Sequence, residues 1–164
     1  MVEGIEPDTT AGEVPEIPRY ETSRGPGSSA EVDFHTGRDV REVVRSHVNY
    51  VVADTKKWEQ SAAYLIDTHP NVEAFVKNAG LGFAIPYLHN GQPHDYLPDF
   101  IIRMKGKSDR YLILETKGFD PLRDIKVQAA QRWVAAVNSD GTLGHWNYDI
   151  VDRVGDVVSV LNSK

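Results

Sequence analysis

Cysteine is absent from this chain of 164 residues, and its absence excludes thiol nucleophiles, iron–sulfur clusters and thiolate zinc sites together. Long apolar runs are absent as well. No stretch reaches the roughly 18 consecutive apolar residues of a membrane helix, and Met1-Val2-Glu3-Gly4 lacks the basic and apolar regions of a signal peptide. A soluble, cytoplasmic protein with no membrane partner is the expectation. No serine sits in a Gly-x-Ser-x-Gly elbow, so a serine hydrolase has no support. Basic charge is also short: 18 Lys and Arg against 24 Asp and Glu give −6, which argues at first against a nucleic-acid partner.

That charge is unevenly spread. Residues 1–33 carry Pro7, Pro15, Pro18 and Pro26, four glycines and no helical or strand period, and such a segment cannot offset its ordering entropy by apolar burial. It reads as a disordered tail or linker, and its eight acids against Arg19 and Arg24 account for the whole −6. Residues 34–164, read as one folded domain of ordinary size, hold 16 acids and 16 bases. Within them, residues 101–132 have eight bases against four acids, or +4. The acidity belongs to the tail.

The body reads as short elements. Residues 48–52 are β-branched enough for a strand, and 56–67 place Trp58, Ala62, Leu65 and Ile66 on one helix face. The stretch 71–78 is predicted as a second short helix, with Asn71 as its cap, Val72, Phe75 and Val76 on one side and Gly80 beyond its end. The period then changes to two. Strands are predicted over 82–88, 96–104 and 110–117, with turns at Asn90-Gly91 and at 105–109, as a three-stranded antiparallel meander. Residues 124–138 return to helix through Ile125, Ala129, Trp133 and Val137, with Asp124 in its first turn, and 146–151 form a last strand. The fold class is α/β, of the α+β mixed-sheet kind, in the order helix, three strands, helix, strand.

Three acid-x-lysine triplets occur, Asp54-Thr55-Lys56, Glu115-Thr116-Lys117 and Asp124-Ile125-Lys126, where 24 acids and 8 lysines give about one by chance. Only the middle one lies in an apolar strand, where Glu115 and Lys117 share a face with Tyr111 and Ile113. If 105–109 is the turn, Met104 opposes Arg110 and paired numbers sum to 214, so Asp99, preceded by Pro98, lies opposite Glu115. Like charges facing at about 5 Å destabilise a sheet. A divalent cation resolves the conflict: Asp99, Glu115 and the Thr116 backbone carbonyl are hard oxygen ligands of the kind Mg²⁺ takes while keeping several waters. Lys117 could then orient an attacking water or stabilise charge on a phosphoryl oxygen.

Pro98-Asp99 followed by Glu115-Thr116-Lys117 on this order of elements resembles the PD-(D/E)xK nuclease superfamily. More narrowly, the chain resembles the C-terminal nuclease region of the Res subunit of type III restriction enzymes. The likeness runs from Asn49-Tyr50-Val51-Val52-Ala53-Asp54 through Trp58-Glu59, Val76-Lys77-Asn78, Leu81-Gly82-Phe83, Ile85-Pro86-Tyr87 and Pro98-Asp99-Phe100-Ile101. It continues in Leu114-Glu115-Thr116-Lys117-Gly118 and Arg132-Trp133-Val134-Ala135-Ala136-Val137-Asn138, covering roughly residues 47–150. The resemblance implies a restriction-endonuclease-like αβββαβ core and Mg²⁺-dependent cleavage of double-stranded DNA, with Mn²⁺ as a possible substitute. Asp99 and Glu115 would be metal ligands and Lys117 the catalytic lysine. A helix carboxylate, Glu59 or else Glu73, and Gln128 on the following helix would be auxiliary. It also implies an upstream ATP-dependent translocase and a methyltransferase subunit as partners. This chain departs from that pattern in having no phosphate-binding loop: Gly106-Lys107-Ser108 looks like the end of one, but its first glycine would fall at Ile101. The expectation is an excised C-terminal part or a truncated product that uses no ATP.

Plainer readings stand beside these. Asp99, Glu115 and Lys117 could be a cross-strand ion cluster on a solvated face. Glu59 reads by itself as an exposed residue beside a buried Trp58, and Trp133 as core. His89, His94 and His145 lack a metal-binding spacing and read as surface histidines. Lys105, Lys107, Arg110 and Lys126 are candidate DNA contacts or merely a solubilising charge. The competing function is a catalytically silent domain that docks on DNA or a partner subunit and needs its translocase for cleavage; a purely structural remnant is the third.

Overall fold

The computed structural model describes residues 28–52, 58–116 and 120–164. The predicted tail therefore lies outside the described residues up to position 27, as do Asp54-Thr55-Lys56 and Lys117. A 3-10 turn, Ser29–Glu31, is followed by β1 (Val40–Glu42), β2 (Tyr50–Val52), α1 (Trp58–Thr68), β3 (Val72–Lys77), β4 (Ile85–His89), β5 (Gln92–Tyr96), β6 (Phe100–Met104), β7 (Arg110–Thr116), α2 (Arg123–Asp140), β8 (His145–Val151) and α3 (Asp156–Ser163). Residues 28–31, within the predicted tail, meet the body: the Ser29 hydroxyl lies 2.9 Å from His47 Nδ1.

The centre is a four-stranded mixed sheet in the order β3-β6-β7-β8. The first three strands pair antiparallel; β8 lies parallel to β7, and α2 makes the long crossover that a parallel pair requires. Small two-stranded sheets, β1-β2 and β4-β5, stand beside it. Among the described residues no helix is long and apolar enough to cross a membrane.

Alternation divides the core in two. Phe100, Ile102 and Met104 of β6 and Leu112 and Leu114 of β7 pack with Ala62, Ala63 and Ile66 of α1 and Val157 and Leu161 of α3. On the other face Ile113 meets Ala129 and Ala130 of α2 and Ile85, Tyr87 and Tyr96 of the β4-β5 hairpin. Full burial of each large aliphatic side chain contributes about 1.5–3 kcal/mol. α2 ends at Gly141, whose left-handed φ of 70° closes the last turn with an N–H donated to the Val137 carbonyl.

Two predicted elements need correction. Residues 71–78 form β3, not a helix. A bulge between Val72 and Ala74 inserts one extra residue, so Val72 and Phe75 both face the core at a spacing of three. That spacing imitates a helical stripe. The meander is also composed differently: its strands are β3, β6 and β7, while 85–96 folds on itself as the β4-β5 hairpin. Asn90 (φ 51°) and Gly91 (φ 70°) supply the two left-handed residues of a two-residue turn, and Pro98, which has no N–H to donate, stands between hairpin and sheet. β1 and α3 are elements that the sequence pattern did not reveal. The β6-β7 register is the predicted one, with Phe100 opposite Leu114 and Met104 opposite Arg110.

Candidate active site

Asp99 immediately precedes β6 and Glu115 is the penultimate residue of β7, so the register brings them together at one end of the sheet. The expected repulsion is relieved by how the two carboxylates are used. The Asp99 N–H donates to Glu115 Oε2 at 3.1 Å. Asp99 Oδ2 accepts both the Thr116 N–H (2.8 Å) and the Thr116 hydroxyl (2.7 Å). Two donors on one oxygen fix the rotamer of Asp99 and leave Oδ1 to face elsewhere.

Oδ1 faces a cation that the sequence reading did not single out. Lys77, the last residue of β3 and 5% exposed, places Nζ 3.5 Å from Asp99 Oδ1 and 2.9 Å from Glu59 Oε2, and 5.4 Å from the centre of the Phe100 ring. Glu59, in the first turn of α1, is 8% exposed. This corrects the plain reading of Glu59: the carboxylate is buried and Trp58 is only half-buried. Had 71–78 been read as a strand, Lys77 would have shared the inward face of Phe75 and stood out as a buried ammonium in need of partners.

Glu115 is 2% exposed and is met from the α2 side by Tyr96. The buried Tyr96 hydroxyl hydrogen-bonds Tyr148 at 3.2 Å and also Glu115. Burial, reinforced by the negative charge of Glu115, pushes the Tyr96 phenol well above its ordinary value. It therefore stays protonated and can donate to the carboxylate.

The remaining candidates are scattered. Lys126, on α2, pairs with Asp120 at 2.8 Å and lies 5.8 Å from the Tyr96 ring centre, on the flank of the site. Gln128 is exposed on α2, and Glu73 is on β3 paired with Arg103 at 3.6 Å. Arg110 opens β7, about 17 Å along the strand from Glu115 at about 3.4 Å per residue, and Lys105 and Lys107 lie in the β6-β7 turn beside it. Arg110 donates there to the Lys105 carbonyl at 2.7 Å and to the Lys164 carbonyl. Among the described candidates, Lys126 thus lies beside the Asp99 end of the sheet and Lys105, Lys107 and Arg110 at the other. His94 and His145 are exposed and His89 is half-buried.

Among the described residues no three His, Asp or Glu side chains gather as a metal-holding cluster. The donor set at the sheet end is smaller: the carboxylates of Asp99 and Glu115 and the Thr116 carbonyl. All are hard oxygen donors, the kind that suits Mg²⁺, an ion that keeps most of its waters and needs few protein ligands. The Lys77 ammonium already stands in for positive charge beside them. The residues present fit such an ion. Comparisons with protein-family models, with curated proteins and with solved structures found no match.

Proposed function

We propose that this chain is a Mg²⁺-dependent deoxyribonuclease domain with a restriction-endonuclease-like core, similar to the nuclease part of type III restriction Res subunits. The observation that carries this reading is the meeting of Asp99 and Glu115 across β6 and β7, followed by the α2 crossover to a parallel β8. With the β4-β5 hairpin as an insertion between β3 and β6, the order α1, β3, β6, β7, α2, β8 supports the αβββαβ reading.

Asp99, Glu115 and the Thr116 carbonyl would hold the ion. A bound Mg²⁺ supplies Lewis acidity toward a phosphoryl oxygen and lowers the pKa of water at neutral pH. The protein's own contribution is preorganisation. Thr116 locks Asp99 with two hydrogen bonds, the Asp99 N–H and the Tyr96 phenol hold Glu115, and neither carboxylate has to reorient when a phosphodiester arrives. Lys117, next in sequence, is assigned the transition-state charge. Double-stranded DNA is the proposed partner, brought by a translocase and a methyltransferase subunit in a complete system; no ATP is used by this chain.

Incubation of the protein with supercoiled plasmid and Mg²⁺ or Mn²⁺ tests the proposal. Cleavage is expected with metal and not with chelator, and Asp99→Ala and Lys117→Ala are each expected to lose about 10²-fold or more, the scale of a removed group that stabilises transition-state charge. Variants that cut as fast as wild type would end the assignment. Salt-dependent DNA binding with no metal-dependent cleavage would instead support a docking domain that is silent without its translocase.

A further inference from the structure

Lys77 has no part in the chemistry just described, yet it is a buried ammonium at the centre of the site. We propose that Lys77 is a built-in counter-ion: it neutralises Glu59 and Asp99 when no divalent cation is present, opposes the entry of one, and so sets the site's affinity for Mg²⁺. The inference rests on the reading of Asp99 and Glu115 as a divalent-cation site.

Glu59 and Glu115 are 8% and 2% exposed and come from α1 and β7, while Asp99 is half-buried between them. Carboxylates withdrawn from water must be paired, because desolvation costs several kcal/mol per ion. Lys77 lies on the face of β3 that looks toward α1, opposite Phe100, and its ammonium reaches both Glu59 and Asp99. A divalent ion at Asp99 and Glu115 would share this small volume with a fixed positive charge.

The unequal distances give the device its direction. Nζ is held tightly by Glu59 at 2.9 Å and only loosely by Asp99 at 3.5 Å. Glu59 therefore draws the ammonium toward α1, while Asp99 Oδ2 is taken by its two Thr116 hydrogen bonds. Oδ1, whose contact with Lys77 is the long one, is the oxygen a second cation can reach. Neutralising Glu59 releases the ammonium onto Asp99 and weakens metal binding. Removing the ammonium leaves a more negative site and strengthens it. A lysine that only props the fold would leave metal affinity unchanged when its charge is removed.

Calorimetric titration of Mg²⁺ into wild type, Lys77→Met and Glu59→Gln, with melting temperatures taken with and without the ion, tests the proposal. Lys77→Met is expected to bind Mg²⁺ about tenfold or more tightly than wild type, since a like charge a few ångströms away is removed from a site of modest dielectric. It should also melt lower without metal and gain more from metal, because an ion that binds only the folded state stabilises in proportion to its occupancy. Glu59→Gln is expected to bind several-fold more weakly. Equal affinity in Lys77→Met and wild type, or a shift of both variants in the same direction, overturns the inference alone. A wild type that binds no Mg²⁺ overturns the underlying reading. If Lys77→Met does not fold by itself, millimolar Mg²⁺ is expected to restore its fold; a chain that stays unfolded there, beside a Glu59→Gln that binds as wild type does, overturns the counter-ion role.

Discussion

Two cations on the central sheet each sit between two carboxylates, and they lie at opposite ends of the same pair of strands. Lys77, at the end of β3, bridges Glu59 and Asp99 with its side chain 6% exposed. Arg103, on β6 opposite Ala74, bridges Glu73 (3.6 Å) and Asp109 (2.8 Å) with its side chain 45% exposed. The charges and distances are alike; the solvent is not. Water and salt screen the Arg103 cluster, so its ions can part at little cost. The Lys77 cluster has nowhere to send its charges, and its geometry persists. A fixed charge at a fixed place is found only at the buried end of this strand pair.

The sharpest way to break this contrast is to remove each cation in turn. Lys77→Met, measured by urea denaturation without divalent ions, is expected to lose about 3–5 kcal/mol, the scale for stripping one partner from a buried ion pair. Arg103→Ala is expected to leave the denaturation midpoint at its wild-type value, and a large loss there would erase the distinction between the two ends.

Between these extremes lies Tyr96→Phe, which removes the hydroxyl shared by Glu115 and Tyr148 and should cost about 1–3 kcal/mol. This variant also carries a pH signature. The Tyr96 phenol is raised in the fold, so its contribution is complete below the ordinary tyrosine pKa of about 10 and is lost as pH rises beyond it, where only the unfolded chain ionises. Wild type should therefore weaken above about pH 10 more steeply than Tyr96→Phe. Parallel alkaline profiles would show that the phenol is not held neutral against Glu115.

Much of the site was legible because a strand is a ruler. One turn position set the β6-β7 register and brought Asp99 to Glu115, and Asn90-Gly91 marked a two-residue hairpin turn with both central residues left-handed. The β3 bulge is where that ruler fails: one extra residue changed a period of two into a spacing of three, turned a strand into an apparent helix, and hid Lys77. The plain reading of Glu59 as exposed fails for a related reason. A charged residue in a first helical turn normally faces water, and its burial depends on a lysine contributed by another element. Thr116 was read only for its carbonyl, whereas its N–H and hydroxyl hold Asp99, a role set by tertiary approach.

The central claim is that Asp99 and Glu115 form one divalent-cation site, and a calorimetric titration of Mg²⁺ into wild type and Asp99→Asn tests it most directly. Asn keeps the size and one acceptor oxygen of Asp99 while removing its charge. Saturable binding by wild type and none by Asp99→Asn at the same concentrations is the expected result. Equal binding by both, or by neither, would contradict it.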